Sequence, residues 1–337
     1  MSIPDTDPRI PVLVLTGFLG SGKSTLLRPL LQAPQFAGAA VIVNEMGEIP
    51  IDHLLIDYPG EDIVLLDNGC LCCALRSDLS EALERLYRTA ARDNRTIPSV
   101  LVETTGLASP APIVRTFATE RNVKARFRLA SLAAAVDAEF GEATLKAHQE
   151  AVHQVVFADE LVITKADKAE PSRLQALSDE IRRLNPHAPI RTSGKDPERP
   201  ADLLWERIPS ALPAERWARL LTGPQAAHHH AHGVETCAFE VTEPFDWPRL
   251  ADFLGRIVDE LAPALLRCKG VINIAGVEKP VVIHGVHHIF YPPETLEEWP
   301  DASRRSRLVF ILDGANRRSL LDIFAAAGIA IMESRAA

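Results

Sequence analysis

The sequence predicts an α/β fold: a P-loop NTPase-type domain on a mainly parallel sheet, followed by a smaller α+β domain. Three observations predict it. Apolar runs of strand length alternate with helical stretches as far as Asp167, the pattern of βαβ units with right-handed crossovers. The first run empties into the glycine-rich turn Gly17-Phe18-Leu19-Gly20-Ser21-Gly22-Lys23-Ser24. Beyond residue 233 several strands follow one another and helices become few, which marks α+β. With 337 residues, two domains are the natural arrangement.

Composition narrows the function. The formal charge of −9 and the lack of a basic run exclude a broad nucleic-acid partner. No apolar segment is long enough to span a bilayer, and Met1–Asp7 lacks the basic and apolar regions of a signal peptide, so a cytoplasmic protein without a membrane partner is expected. Of five cysteines, three fall within four positions, which is not a disulfide framework, and reduced thiols are expected.

Taken in order, Pro11–Thr16 reads as a buried strand, and the turn after it fits G-x-x-x-x-G-K-[ST]. Glycines at 17, 20 and 22 let the backbone turn so that several N–H groups, those of Ser21 to Thr25 included, point at phosphate. Lys23 supplies a charge to the terminal phosphates, and the Ser24 hydroxyl suits magnesium. A helix opening at Ser24-Thr25-Leu26-Leu27 puts its N-terminus toward the anion. Pro29 sits inside that helix, where proline typically costs ~3 kcal/mol unless the helix bends.

Residues 39–43 form a second strand, running into Asn44-Glu45-Met46-Gly47-Glu48. Acidic groups there suggest a switch segment or metal ligands, although a solvated loop is the commoner outcome for such a piece alone. Residues 62–66 are a third run and end in Asp67-Asn68-Gly69-Cys70-Leu71-Cys72-Cys73. Three thiols in C-x-C-C do not easily pair within one tight turn. Cys70, Cys72 and Cys73 can converge on one soft cation such as zinc, and metal is favoured over redox chemistry. The bland alternative is three small buried hydrophobes.

Residues 76–92 carry Leu79, Ala82, Leu83, Leu86 and Tyr87 at helical spacing. Residues 99–102 form a strand ending in Glu103-Thr104-Thr105-Gly106, where an acidic residue can organise magnesium and the γ-phosphate; a capped turn is the alternative. Residues 131–137 read as a strand with a terminal Asp137, and 143–157 as a helix whose His148 and His153 are surface or packing residues. The strand from Glu160 runs into Thr164-Lys165-Ala166-Asp167. A carboxylate at Asp167 can accept both N1–H and the 2-amino group of guanine, a pair of donors adenine lacks. In parallel sheets the crevice lies at the carboxyl ends of the strands. The P-loop, residues 44–48, the cysteine turn, Glu103 and Asp167 all follow strands, so a thiolate metal site is expected beside a nucleotide γ-phosphate.

Residues 209–232 read as a linker by composition, ending in His228-His229-His230-Ala231-His232, a tract that can bind metal or stay merely solvated. Then come strands at 234–241, 265–275, 279–291 and 307–313, with helices at 247–261 and 316–327. If 279–291 is one strand, His284 and His288 face one way and His287 the other. Cys237 and Cys268 read as core residues. The domain boundaries are therefore 1–208, a linker at 209–233, and 234–337.

In G-F-L-G-S-G-K-S-T, N-E-M-G-E, G-C-L-C-C, E-T-T-G and T-K-A-D, in that order, the chain resembles the CobW-like family of P-loop GTPases, relatives of the nickel-insertion GTPases that include zinc metallochaperones. The resemblance covers the N-terminal domain densely. It implies hydrolysis of GTP to GDP coupled to delivery of zinc, cobalt or a similar ion to a client metalloprotein. It places Lys23 and Ser24 on phosphate and magnesium, and Glu103 at the carboxylate position beside them. Cys70, Cys72 and Cys73 would hold the transferred metal, with Glu45 as a further ligand. Thr164 stands where the commoner base motif has Asn. Two other readings fit parts of the chain: a metal buffer or sensor whose nucleotide site is only structural, and an ATP-dependent small-molecule kinase, against which Asp167 argues. The sequence leaves the oligomeric state open, a homo-oligomer included.

Overall fold

A computed structural model describes residues 7–44, 63–66, 74–186, 188–194, 204, 228–229, 233–262, 264–291, 293–296, 298–299, 302–314 and 316–333. The chain divides into two compact units, one of residues 1–180 and 188–211, the other of 181–187 and 212–337.

The N-terminal part runs β1 (Ile10–Gly17), α1 (Lys23–Leu31), β2 (Ala40–Asn44), β3 (Ile63–Leu66), α2 (Ala74–Arg92) and β4 (Val100–Glu103). It continues with α3 (Ala111–Thr119), α4 (Arg121–Arg126), β5 (Phe127–Asp137), α5 (Gly141–Ala147), α6 (Gln149–Phe157), β6 (Glu160–Thr164), α7 (Pro171–Leu184) and β7 (Ile190–Thr192). Among the described residues the sheet has seven strands in the order β3-β2-β4-β1-β5-β6-β7. Every pairing is parallel. β1 lies in the middle and is buried on both faces, as its unbroken apolar run requires. Leu13 and Leu15 pack with Leu26, Leu27 and Leu30 of α1, which fixes that helix against the sheet directly behind the glycine turn. Pro29 does not end α1, which continues to Leu31.

The structure extends the reading of β5 and divides a helix. β5 begins at Phe127, not 131, because Phe127-Arg128-Leu129 pairs with Ile10-Pro11-Val12 before a register shift between Val12 and Leu13. Buried Arg128 interrupts the apolar pattern, so periodicity does not reveal this start. The helix expected over 143–157 is two helices, broken where His148 adopts extended backbone.

The C-terminal unit contributes β8 (His228–His229), β9 (Val234–Val241), α8 (Trp247–Leu261), β10 (Leu265–Ile272), β11 (Val281–Val286) and β12 (Ile289–Phe290). β13 (Glu294–Thr295), β14 (Ser306–Asp313), α9 (Arg317–Ala326) and β15 (Ile331–Glu333) complete it. Its antiparallel sheet has the order β12-β11-β10-β14-β9-β15, with β13 beside β11 and β8 beside β9. Helix α8 begins at Asp246, whose carboxylate accepts from Arg249 N at 2.7 Å, a side-chain cap of the usual kind. The core between sheet and helices centres on Phe324, with ring centroids 4.7 Å from Phe253 and 4.9 Å from Phe239.

The segment 279–291 is not one strand but a hairpin. β11 stops at Val286, and His287 turns the chain at φ 50° before β12. Alternation therefore does not run through the three histidines, and their expected facing does not hold. Cys237 and Cys268 lie in the core, and burial pushes the Cys268 thiol pKa far up. His228 and His229 of the histidine tract pair with Thr236 and Glu235.

Candidate functional site

The site is built at the carboxyl edge of the parallel sheet. β1 ends at Gly17, whose φ is +145° and whose added Cβ would lie 2.5 Å from Ala135 O, so only glycine fits. The loop closes with Ser21 N donating to Phe18 O at 3.1 Å. Gly22, at φ 84°, is the N-cap of α1. This helix has no side-chain cap and no acidic residue in its first turn, so its leading N–H groups and its positive dipole end are available to an anion. Lys23 is buried to 9% exposure, and its ammonium donates to Gly17 O at 2.9 Å and Phe18 O at 3.2 Å. Its charge is thus held at the mouth of the loop.

Ser24 Oγ donates to Glu103 Oε1 at 2.8 Å, joining the start of α1 to the end of β4. The loop after Glu103 is fastened to β1 twice: Thr104 N donates to Leu15 O at 3.0 Å, and Thr104 Oγ1 to Thr16 Oγ1 at 2.9 Å. Gly106 then presses on the P-loop, where a Cβ would stand 2.6 Å from Leu19 N. Magnesium fits the Ser24–Glu103 junction. Both donors are hard oxygens, and neighbouring ligands of an octahedral ion at ~2.1 Å lie roughly 3 Å apart.

The base motif is latched to the same loop. Thr164 Oγ1 donates its single proton to Ser21 O at 2.7 Å, with Val136 O 3.3 Å away. The hydroxyl thereby ties β6 to the P-loop without the amide of the commoner Asn. Lys165 takes left-handed backbone, φ 54°, a sparsely populated region for a non-glycine residue. Its ammonium donates to Gly20 O at 2.8 Å and pairs with Asp137 Oδ2 at 2.5 Å. Asp137 is further held by Glu139 N at 2.7 Å. Asp167 follows with an exposed side chain beside Ser193-Gly194, where Ala166 N donates to Ser193 O at 3.0 Å.

The structure therefore brings together Gly17, Gly20, Ser21, Gly22, Lys23, Ser24 and Glu103, with Thr164 and Lys165 joined to the same loop. Thr25 continues the first turn of α1. Glu45, Cys70, Cys72 and Cys73 lie outside the described residues, as do residues 46–48. Among the described residues, no group of three or more His, Cys, Asp or Glu could hold a metal ion. Ser193-Gly194 beside Asp167, and Gln154 beneath Gly106, are not singled out by the sequence. Their only signal is position: the first follows a short strand, the second sits on the apolar face of a helix.

Known proteins resemble the chain in both of its parts. Residues 11–192 match the family described as CobW/HypB/UreG, nucleotide-binding domain, and residues 234–328 match the cobalamin synthesis protein cobW C-terminal domain. The chain is 30% identical over 309 residues to the zinc chaperone YjiA of Escherichia coli, covering 90% of this chain and 93% of that one. It is 26% identical to zinc-regulated GTPase metalloprotein activator 1 of Dictyostelium discoideum, covering 93% and 78%. It is 28% identical to the zinc chaperone CobW of Pseudomonas aeruginosa, covering 90% and 87%. The fold is that of the Zn(II)-bound YjiA GTPase from E. coli, with a TM-score of 0.65 over 95% of this chain and 99% of the other at 24% identity.

Proposed function

The chain belongs to the CobW/HypB/UreG family of P-loop GTPases, and on that basis we propose that it is a cytoplasmic zinc metallochaperone that spends GTP to load a client metalloprotein. Residues 1–208 would form the GTPase domain, 209–233 the linker and 234–337 the C-terminal domain. The observation that carries the nucleotide half is the junction of Lys23, Ser24 and Glu103. The metal half is supported by the zinc-chaperone relatives and by the C-x-C-C turn. β2 and β3 run parallel to β4, with Val43 opposite Glu103 and Asn44 opposite Leu66. β2 and β3 therefore end at the edge at which Glu103 lies.

In this reading the loop N–H groups and Lys23 bind the β- and γ-phosphates, and Asp167 accepts from the guanine edge while Lys165 braces the loop beneath. Ser24 and Glu103 hold magnesium, which would supply charge neutralisation at the phosphates. Catalysis comes chiefly from positioning and preorganised charge. Glu103 is engaged by Ser24, which suits holding better than proton abstraction. Cys70, Cys72 and Cys73 take the cargo ion as thiolates, with Glu45 as a further oxygen ligand; the same donor set admits cobalt. The deciding experiment is metal analysis of purified protein against a competing chelator, with GTP, with GDP and without nucleotide. Zinc affinity that changes with nucleotide supports the reading, and zinc affinity indifferent to nucleotide refutes the coupling.

A further inference from the structure

We infer that Gln154 is a positioning residue for the Glu103–Gly106 loop: its amide, on α6, holds that loop in register with the P-loop. Its Nε2 donates to Gly106 O at 3.0 Å and to Ala108 O at 3.1 Å, and the side chain is 1% exposed. Two carbonyls at one end of an amide fix its orientation, since only the nitrogen can donate to both. The opposite atom, Oε1, is buried without a hydrogen bond among the described residues. Leaving that acceptor unpaired costs stability. An apolar side chain of the same length would fill the space without that cost, so packing alone does not ask for glutamine here.

What the amide holds is the loop that carries the chemistry. Gly106 lies against Leu19 with no room for a side chain, and Thr104 bonds Leu15 and Thr16. Glu103, at the head of this loop, meets Ser24. The same helix touches the P-loop itself, because His148, its N-cap, stacks on Phe18 with ring centroids 4.5 Å apart. Helix α6 thus grips both loops, and Gln154 meets the loop after Glu103 through the carbonyls of Gly106 and Ala108. Its effect would pass through Gly106 and Glu103, and it rests on the reading of Glu103 as a magnesium-side carboxylate.

The test uses the full chain, a fluorescent GTP analogue, and titrations with and without magnesium. Gln154→Met keeps the length and removes the donor; Gln154→Glu keeps the shape and sets an acceptor against two carbonyls. In both, affinity without magnesium should stay within about twofold of wild type, while the gain on adding magnesium should fall by about fivefold or more, the scale of one or two lost hydrogen bonds. Variants that keep the gain overturn the proposal. So do variants that lose both affinities together with thermal stability or fail to fold, which would mark a structural residue, and a wild-type chain with no magnesium gain. A wild type that gains affinity with magnesium yet never turns over GTP counts against the GTPase reading alone, and the affinity ratios still decide the role of Gln154.

Discussion

Lys23 donates to two carbonyls of its own loop, Gly17 O and Phe18 O, which hold its ammonium at the mouth of the phosphate loop. Replacing it with alanine removes a charge-assisted contact worth roughly 1.5–3 kcal/mol, and GTP affinity should fall by about tenfold or more in equilibrium titration. Asp167 makes the complementary prediction. Asp167→Ala should erase the preference for GTP over ATP in competition binding while leaving total triphosphate affinity largely in place, because the phosphate cradle is untouched. For the cargo, Cys72→Ala should lower zinc affinity against a chelator while GTP binding persists; parallel loss of both would show that the cysteines serve the fold. Gln154 and Gly106 belong to the same scale, since one amide and one missing Cβ set where the carboxylate of Glu103 stands.

Helices and strands hold those residues through contacts with their own chemistry. Glu84 of α2 bonds Arg126 of α4 and Arg88 one turn on, and the Arg126 guanidinium in particular holds its carboxyl below the ordinary 4.5. A lowered pKa contributes stability that is present above the ordinary value and is lost as pH falls through the folded value. The difference in thermal stability between wild type and Glu84→Gln should therefore be seen at neutral pH, begin to shrink as pH falls below 4.5, and vanish once pH is below the lowered folded value. Elements also show what sequence could and could not supply. The P-loop, Glu103 and Thr164–Asp167 were legible because each follows an apolar run and carries a residue type its chemistry demands. The start of β5 was not, because Arg128 breaks the pattern while still pairing in the sheet. The break at His148 was hidden because apolar spacing continues across it, and the hairpin at His287 because no glycine or proline announces a left-handed turn there. Gln154 was invisible for a related reason: a lone glutamine on a buried helix face declares its partners only once the loop over it is in place.

At the scale of the molecule, each unit has its own core. In the C-terminal unit Phe324 packs its ring against Phe253 and Phe239, and Phe324→Ala should destabilise that unit by about 3–5 kcal/mol in denaturant titration, the usual cost of deleting a buried aromatic. The parallel sheet sets a different relation between its middle and its edge. Val12, Leu13 and Val14 are fully buried, and β1 is paired on both sides, by β4 and β5. Amides in such a strand meet solvent only when the whole unit opens, so their deuterium uptake measures global opening. A nucleotide that binds only the folded form slows that uptake by one plus the ratio of its free concentration to Kd, about a hundredfold at a hundred times Kd. The strand that delivers the glycine turn therefore doubles as its occupancy gauge, readable in isotope exchange without any label on the ligand.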